Sequence, residues 1–170
     1  MHPVAPSPRA RLTFALMTFL LLGLPVPMWP GNQPIDRATL KGLKTIWVIV
    51  EHPTPEAERD GLTKDQLQTD VEARLKNAGI QVTSLVEEAY LYLNVSTVKG
   101  SSGLYAYHIR LEFNQQVILE RDRNVSLPAP TWSLDLGGIV GASKLHEVRG
   151  DVADMVDQFI TAYREQNPKL

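Results

Sequence analysis

No cysteine occurs anywhere in the 170 residues. That absence excludes disulfides, thiolate metal sites, a thiol nucleophile and a lipid-carrying cysteine behind a leader. Stability must then come from core packing. Aromatic residues are sparse at 7%, yet 44% of the chain is hydrophobic, enough for a core in a chain of single-domain length. An excess of basic charge is missing too. Of the 17 Lys and Arg, Arg9 and Arg11 precede Asn32, and the remaining 15 face 19 Asp and Glu. Nucleic-acid binders gather phosphate-neutralising cations on one surface. Here the cations are scattered from Arg37 to Lys169 among more numerous acids, so nucleic acid is set aside as a partner.

Catalytic and cofactor motifs are equally scarce. The four histidines, His2, His52, His108 and His146, have no zinc-like spacing, and no metal or cofactor is implied. Gly137-Gly138-x-x-Gly141 lacks the Lys-Ser/Thr ending of a phosphate-binding loop and reads as a flexible turn.

What the chain does have is an address. Residues 1–11 are short and positive, and residues 12–24 are uncharged and strongly apolar, the charge-then-hydrophobe order of a secretory leader. The apolar run is shorter than the roughly 20 residues a membrane span needs. No small-x-small tripeptide follows Leu24, so an uncleaved inner-membrane anchor stands as the alternative. Residues 1–31 are thus read as a leader or anchor with a proline-rich tether, and residues 40–169 as one domain. The expected location is periplasmic or secreted, with membrane contact only through the N-terminal segment if it stays attached.

Residues 45–51 are β-branched and aromatic with apolar side chains on both faces, which predicts a central strand covered on two sides. Residues 52–61 carry two prolines and a charged tip, a surface loop. A helix is predicted from Lys64 to Ala78: Thr63 caps it, Leu62 staples on Leu67, and Leu67, Val71 and Leu75 share one face. Gly79 supplies the left-handed closing residue, with Ile80 packing back on Leu75. A short strand at 80–84 should lie parallel to the first. Strands at 89–98 and from 105 onward alternate cleanly around a Gly-rich hairpin, a loop is expected at 124–130, and a further strand at 131–136. Val148, Val152, Met155, Val156, Phe159, Ile160 and Tyr163 then mark one face of a closing helix. The order β-α-β-β-β-β-α predicts an α+β domain, a mixed and mostly antiparallel sheet of about five strands with two helices on one face.

Alternation puts Tyr90, Tyr92 and Asn94 on one face of their strand, and His108, Arg110 and Glu112 on the same face of its hairpin partner. Aromatic and Arg side chains anchor interfaces, so this face is the candidate binding surface for an envelope protein or a polar ligand. The competing reading is the ordinary solvated side of a one-sided sheet. His108 and Glu112 stand about 13 Å apart along a strand, too far for direct acid-base contact. A second, enzymatic reading uses His52 with the acids of the 53–60 loop as a small hydrolase or ligand-processing site. A third makes the chain a membrane-tethered structural subunit.

With its leader, the strand over 43–51, the Gly61-Leu62-Thr63 helix start and the closing Asp157-Gln-Phe-Ile-Thr-Ala-Tyr163 and Asn167-Pro-Lys169, the chain resembles small exported bacterial proteins of unknown function. In element order it is also similar to periplasmic α/β modules of envelope assembly, such as the amino-terminal domain of the Tol-Pal translocation protein and the curli-secretion lipoprotein. The resemblance implies a non-enzymatic envelope role and no site residues. The chain departs from the curli-type lipoprotein in lacking the lipidated cysteine.

Overall fold

The computed structural model describes residues 31–85 and 89–168. The leader, anchor and cleavage readings of residues 1–30 lie outside the described residues. One five-stranded mixed sheet runs in the order β2-β1-β3-β4-β5, with β1 Thr45–Val50, β2 Gln81–Thr83, β3 Tyr90–Lys99, β4 Leu104–Leu119 and β5 Asp122–Gly141. β1 pairs in parallel with both β2 and β3, while the longer β3–β4 and β4–β5 ladders are antiparallel. The α+β class is as expected from the sequence. To the predicted elements the structure adds two short helices, α1 (Pro34–Ala38) and α2 (Pro55–Arg59), and a 3₁₀ segment at Ala142–Glu147.

Helices α3 (Lys64–Asn77) and α4 (Val148–Gln166) cover one face of the sheet. Their buried positions, Leu67, Val71 and Leu75 on α3 and Val152, Val156, Phe159 and Tyr163 on α4, pack into one cluster with Ile46, Val48, Leu91, Leu93, Ile109, Leu111 and Trp132. α3 forms as its end signals require. Thr63 Oγ1 accepts from the Gln66 N–H at 3.4 Å, and the Ile80 and Gly79 amides close the helix on the carbonyls of Leu75 and Lys76 at 3.0 and 2.9 Å. Gly79 has φ +82°, the left-handed closing conformation that glycine adopts without strain.

Three expectations need correction. The other face of β1 is open: Ile46, Val48 and Val50 are buried, but Trp47 and Ile49 are only half-buried on the side away from the helices. Residues 124–130, expected as a loop, are strand, with Pro128 and Pro130 paired opposite Gln116 and Asn114. β5 is the sheet's edge, where a residue without an N–H is tolerated. Residues 137–141, expected as a flexible turn, are also strand, in register with β4 from Leu104 to His108. Glycine is needed at 138 because the Tyr107 ring occupies the space a Cβ would fill.

That ring carries a titratable contact. Tyr107 Oη donates to Asp151 Oδ2 at 2.6 Å, and this hydrogen bond, with burial, pushes the phenol up to about 12 from 10.0. A phenol whose folded pKa is raised contributes stability that is complete below pH 10 and lost as pH climbs toward 12. Urea unfolding should therefore show a Tyr107→Phe variant about 1–2 kcal/mol less stable than wild type at neutral pH. The gap between the two should close between pH 10 and pH 12; a gap that stays constant there would contradict the assignment.

The N-terminal stretch of the described chain is fastened to the body ahead of the boundary expected at residue 40. The Ser133 N–H donates to the Gly31 carbonyl at 2.8 Å, and both Trp132 Nε1–H and Arg37 Nε–H donate to Asn32 Oδ1 at 2.9 Å. Arg37 also pairs with Glu165 on α4 at 2.7 Å. Among the described residues, no helix is long and apolar enough to cross a membrane.

Candidate functional site

The β3–β4 register sets Tyr90, Tyr92, Asn94 and Ser96 opposite Asn114, Glu112, Arg110 and His108. Their sequence neighbours Leu91, Leu93, Val95, Ile109 and Leu111 are buried under the helices, so period-two alternation turns the polar rows to the open side. All six residues predicted from sequence thus share one face. Together with Ser96 and Asn114 they line a shallow concavity of about 520 Å³.

Strands on either side complete the surface with residues outside the six predicted. From β5, Asp135 sits in register with Arg110 and accepts from its Nε at 3.0 Å; the same Oδ1 lies 3.1 Å from His108 Nε2. Arg110 Nε is also 3.6 Å from Glu112. From β1, Glu51 accepts from Tyr92 Oη at 3.2 Å, and Trp47 packs edge-on against Tyr90 with centroids 5.7 Å apart. Asp135 was within reach of the sequence, because Trp132, Leu134 and Leu136 inward leaves Ser133 and Asp135 outward. Trp47 was hidden by the expectation that β1 is covered on both sides, and Glu51, with His52, was expected only as a strand-end position for ligand groups.

Beyond the polar cluster the face turns apolar. Val98, Ala106 and Ile139 form one cross-strand row over β3, β4 and β5, with Val98 and Ile139 71% and 73% exposed and Leu104 47% exposed beside them. A merely solvated face does not call for such a row.

The electrostatics are lopsided toward acid. Glu112 and Asp135 flank the Arg110 guanidinium while Glu51 sits at Tyr92, and Asp135 holds Arg110 above its ordinary pKa first by its hydrogen bond and then by its charge. Burial, then the Glu51 carboxylate, raises the Tyr92 phenol, keeping it a donor. Such a face repels polyanions and suits a partner that brings cations and hydrogen-bond donors.

No known family model matches the chain, and no curated protein does. Among solved structures the chain is similar to a variant PelC dodecamer from Paraburkholderia phytofirmans, at 16% identity over 68% of this chain and 84% of that one, with a TM-score of 0.39. It is similar also to a minor lipoprotein from Acinetobacter baumannii, at 13% identity over 75% of this chain and 95% of that one, with a TM-score of 0.33. Similarity at that level says nothing of ligand or partner.

Hydrolytic chemistry finds little support in the geometry. Asp135, His108 and Ser96 have the composition of a charge-assisted nucleophile set, but Ser96 Oγ donates to Asn94 Oδ1 at 2.7 Å, not toward the imidazole. His52, the centre of the alternative enzymatic reading, is exposed and pairs with Glu58 at 3.2 Å. Asp60, from the same loop, is turned away to accept from Lys99 Nζ and Tyr105 Oη, both at 2.6 Å. Among the described residues, no group of three or more His, Asp or Glu is placed to hold a metal ion.

Proposed function

We propose that this chain is an exported, non-catalytic binding module of the cell envelope, and that it holds a partner protein on the open face of its sheet. The observation that carries the reading is the continuity of that face: an aromatic corner at Trp47, Tyr90 and Tyr92, an acidic polar cluster around Arg110, and the exposed Val98–Ala106–Ile139 row, all in register. Interfaces combine an apolar and aromatic centre with polar groups that fix register. The surplus carboxylates call for Lys or Arg opposite them, and the apolar row for a hydrophobic contact beside those cations. Export rests on the order of charge and hydrophobicity in residues 1–24.

Capture from envelope extract on the full chain tests the reading, followed by titration with the recovered protein. Tyr92→Ala with Ile139→Asp should weaken binding by about tenfold or more, the scale expected when two central anchors are lost. A control substitution on the helical side, Thr161→Ala, should leave it unchanged. Recovery of the same proteins at the same affinity by the Tyr92/Ile139 variant would show that the open face is not the binding surface.

A further inference from the structure

The β4–β5 ladder does not stop where the core stops. The last cross-strand pair buried in the core is Phe113 with Trp132, yet pairing continues to Leu119 and Asp122. Asn114 still pairs with Tyr90 on β3, and the further β4 residues, Gln115 to Leu119, carry the two-stranded arm about 17 Å onward at roughly 3.3 Å per residue. An isolated two-stranded ribbon is marginal in water. This one also shows apolar side chains: Ile118 is 63% exposed, Val125 41% and Leu127 39%, with Val117 and Leu119 half-buried. Gln115 marks where cover ends on the helical side, its Nε2 donating to the Thr39 carbonyl at 3.1 Å and to Thr131 Oγ1 at 2.7 Å. Val117, opposite Leu127, and then Leu119 and Val125 continue that side outward, with no helix over them among the described residues.

The tip supplies a second observation. Glu120, Arg121 and Arg123 make no ion pair or hydrogen bond of their side chains among the described residues, and Asp122 engages only Asn124, at 3.1 and 3.3 Å. Unpaired charges of both signs, with acids and bases alternating from Glu120 to Arg123, are a poor match for an anionic lipid surface, which selects net positive charge. They are self-complementary. Two copies related by a two-fold axis set the acids of one tip against the bases of the other while their apolar strips face each other.

We infer that the β4–β5 arm is a self-association surface: two copies of this chain pair through the strip of Val117, Leu119, Val125 and Leu127, with Glu120 and Asp122 of each opposite Arg121 and Arg123 of the other. A strip of four side chains buries on the order of a few hundred Å² per copy, below the roughly 800 Å² per partner of a standard interface. The dimer is therefore a weak one that grows with concentration. The arm lies beyond the open-face cluster, and this surface stands whether or not that cluster binds a partner.

The cysteine-free chain allows a direct test. Val125→Cys or Leu127→Cys in the full-length protein should give disulfide-linked dimers under mild oxidation, while Thr161→Cys on the outer side of α4 should not. Adding Arg121→Glu and Arg123→Glu should lower the cross-linked fraction severalfold by setting acid against acid. Adding Glu120→Arg and Asp122→Arg to those should restore it. Absence of dimers, equal cross-linking at position 161, or failure of the charge exchange to restore cross-linking would each overturn the inference. So would the outcome in which phosphatidylglycerol vesicles protect the thiol introduced at position 125 from a water-soluble maleimide while no cross-link forms, which would assign the strip to lipid.

Discussion

Replacing Trp132 by alanine is expected to cost about 3–5 kcal/mol of unfolding free energy, a large share of the roughly 5–15 kcal/mol typical of a domain. The side chain is 1% exposed and stands edge-on to Phe159 with centroids 5.1 Å apart. Phe159 in turn stacks on Phe113 at 5.7 Å, the cross-strand partner of Trp132. At the base of the arm two aromatic contacts thus join the sheet to α4, and truncation leaves a cavity there that a chain pinned on both sides cannot close. Trp132→Phe separates the two roles of the ring. It keeps most of the packing but gives up the Nε1–H donated to Asn32, whose Oδ1 still accepts from Arg37, so its cost should be about 1 kcal/mol. Urea unfolding followed by far-ultraviolet circular dichroism measures both. A loss below about 1 kcal/mol for Trp132→Ala would mean that the three rings do not hold the helix to the sheet.

The elements that were readable in the sequence are those whose cause is local. α3 carries its own cap, staple and glycine closure between Leu62 and Ile80, and the structure uses the cap and the closure as read. The alternation of Tyr90, Tyr92 and Asn94 against buried Leu91, Leu93 and Val95 also needs nothing from elsewhere in the chain. β5 failed because its local signals are misleading. Pro128, Pro130 and the glycines from 137 to 141 are turn formers by themselves, and become strand only because β4 offers a continuous ladder and Tyr107 needs the empty space over Gly138. The site divides in the same way. Its two central rows, and the outward side of Asp135, follow from period-two spacing, whereas Trp47 and Glu51 join it through strand order, a non-local property that no single stretch of sequence encodes.

Asn167→Ala is expected to cost about 2–4 kcal/mol, although the residue lies after the last turn of α4 in a Pro-containing tail. Its side chain is 8% exposed and accepts from the Gly42 N–H at 2.7 Å while donating to the carbonyls of Leu40 and Tyr163, each at 2.9 Å. Alanine would strand the carbonyl of the fully buried Leu40, and a buried polar group without a partner costs about 1–3 kcal/mol, while the amide of the exposed Gly42 would be given up to water. Tyr163 Oη–H, donating to the Leu43 carbonyl at 2.7 Å, holds the next residue of that segment but cannot satisfy the Gly42 amide, since it offers a donor where an acceptor is lost. Amide exchange at Gly42 should therefore accelerate more than exchange in the middle of β3, and a uniform rise would instead point to global loosening. Through Asn32, Leu40, Gly42 and Leu43 the chain is fixed repeatedly before β1 begins, and Gly31 is held beside Ser133.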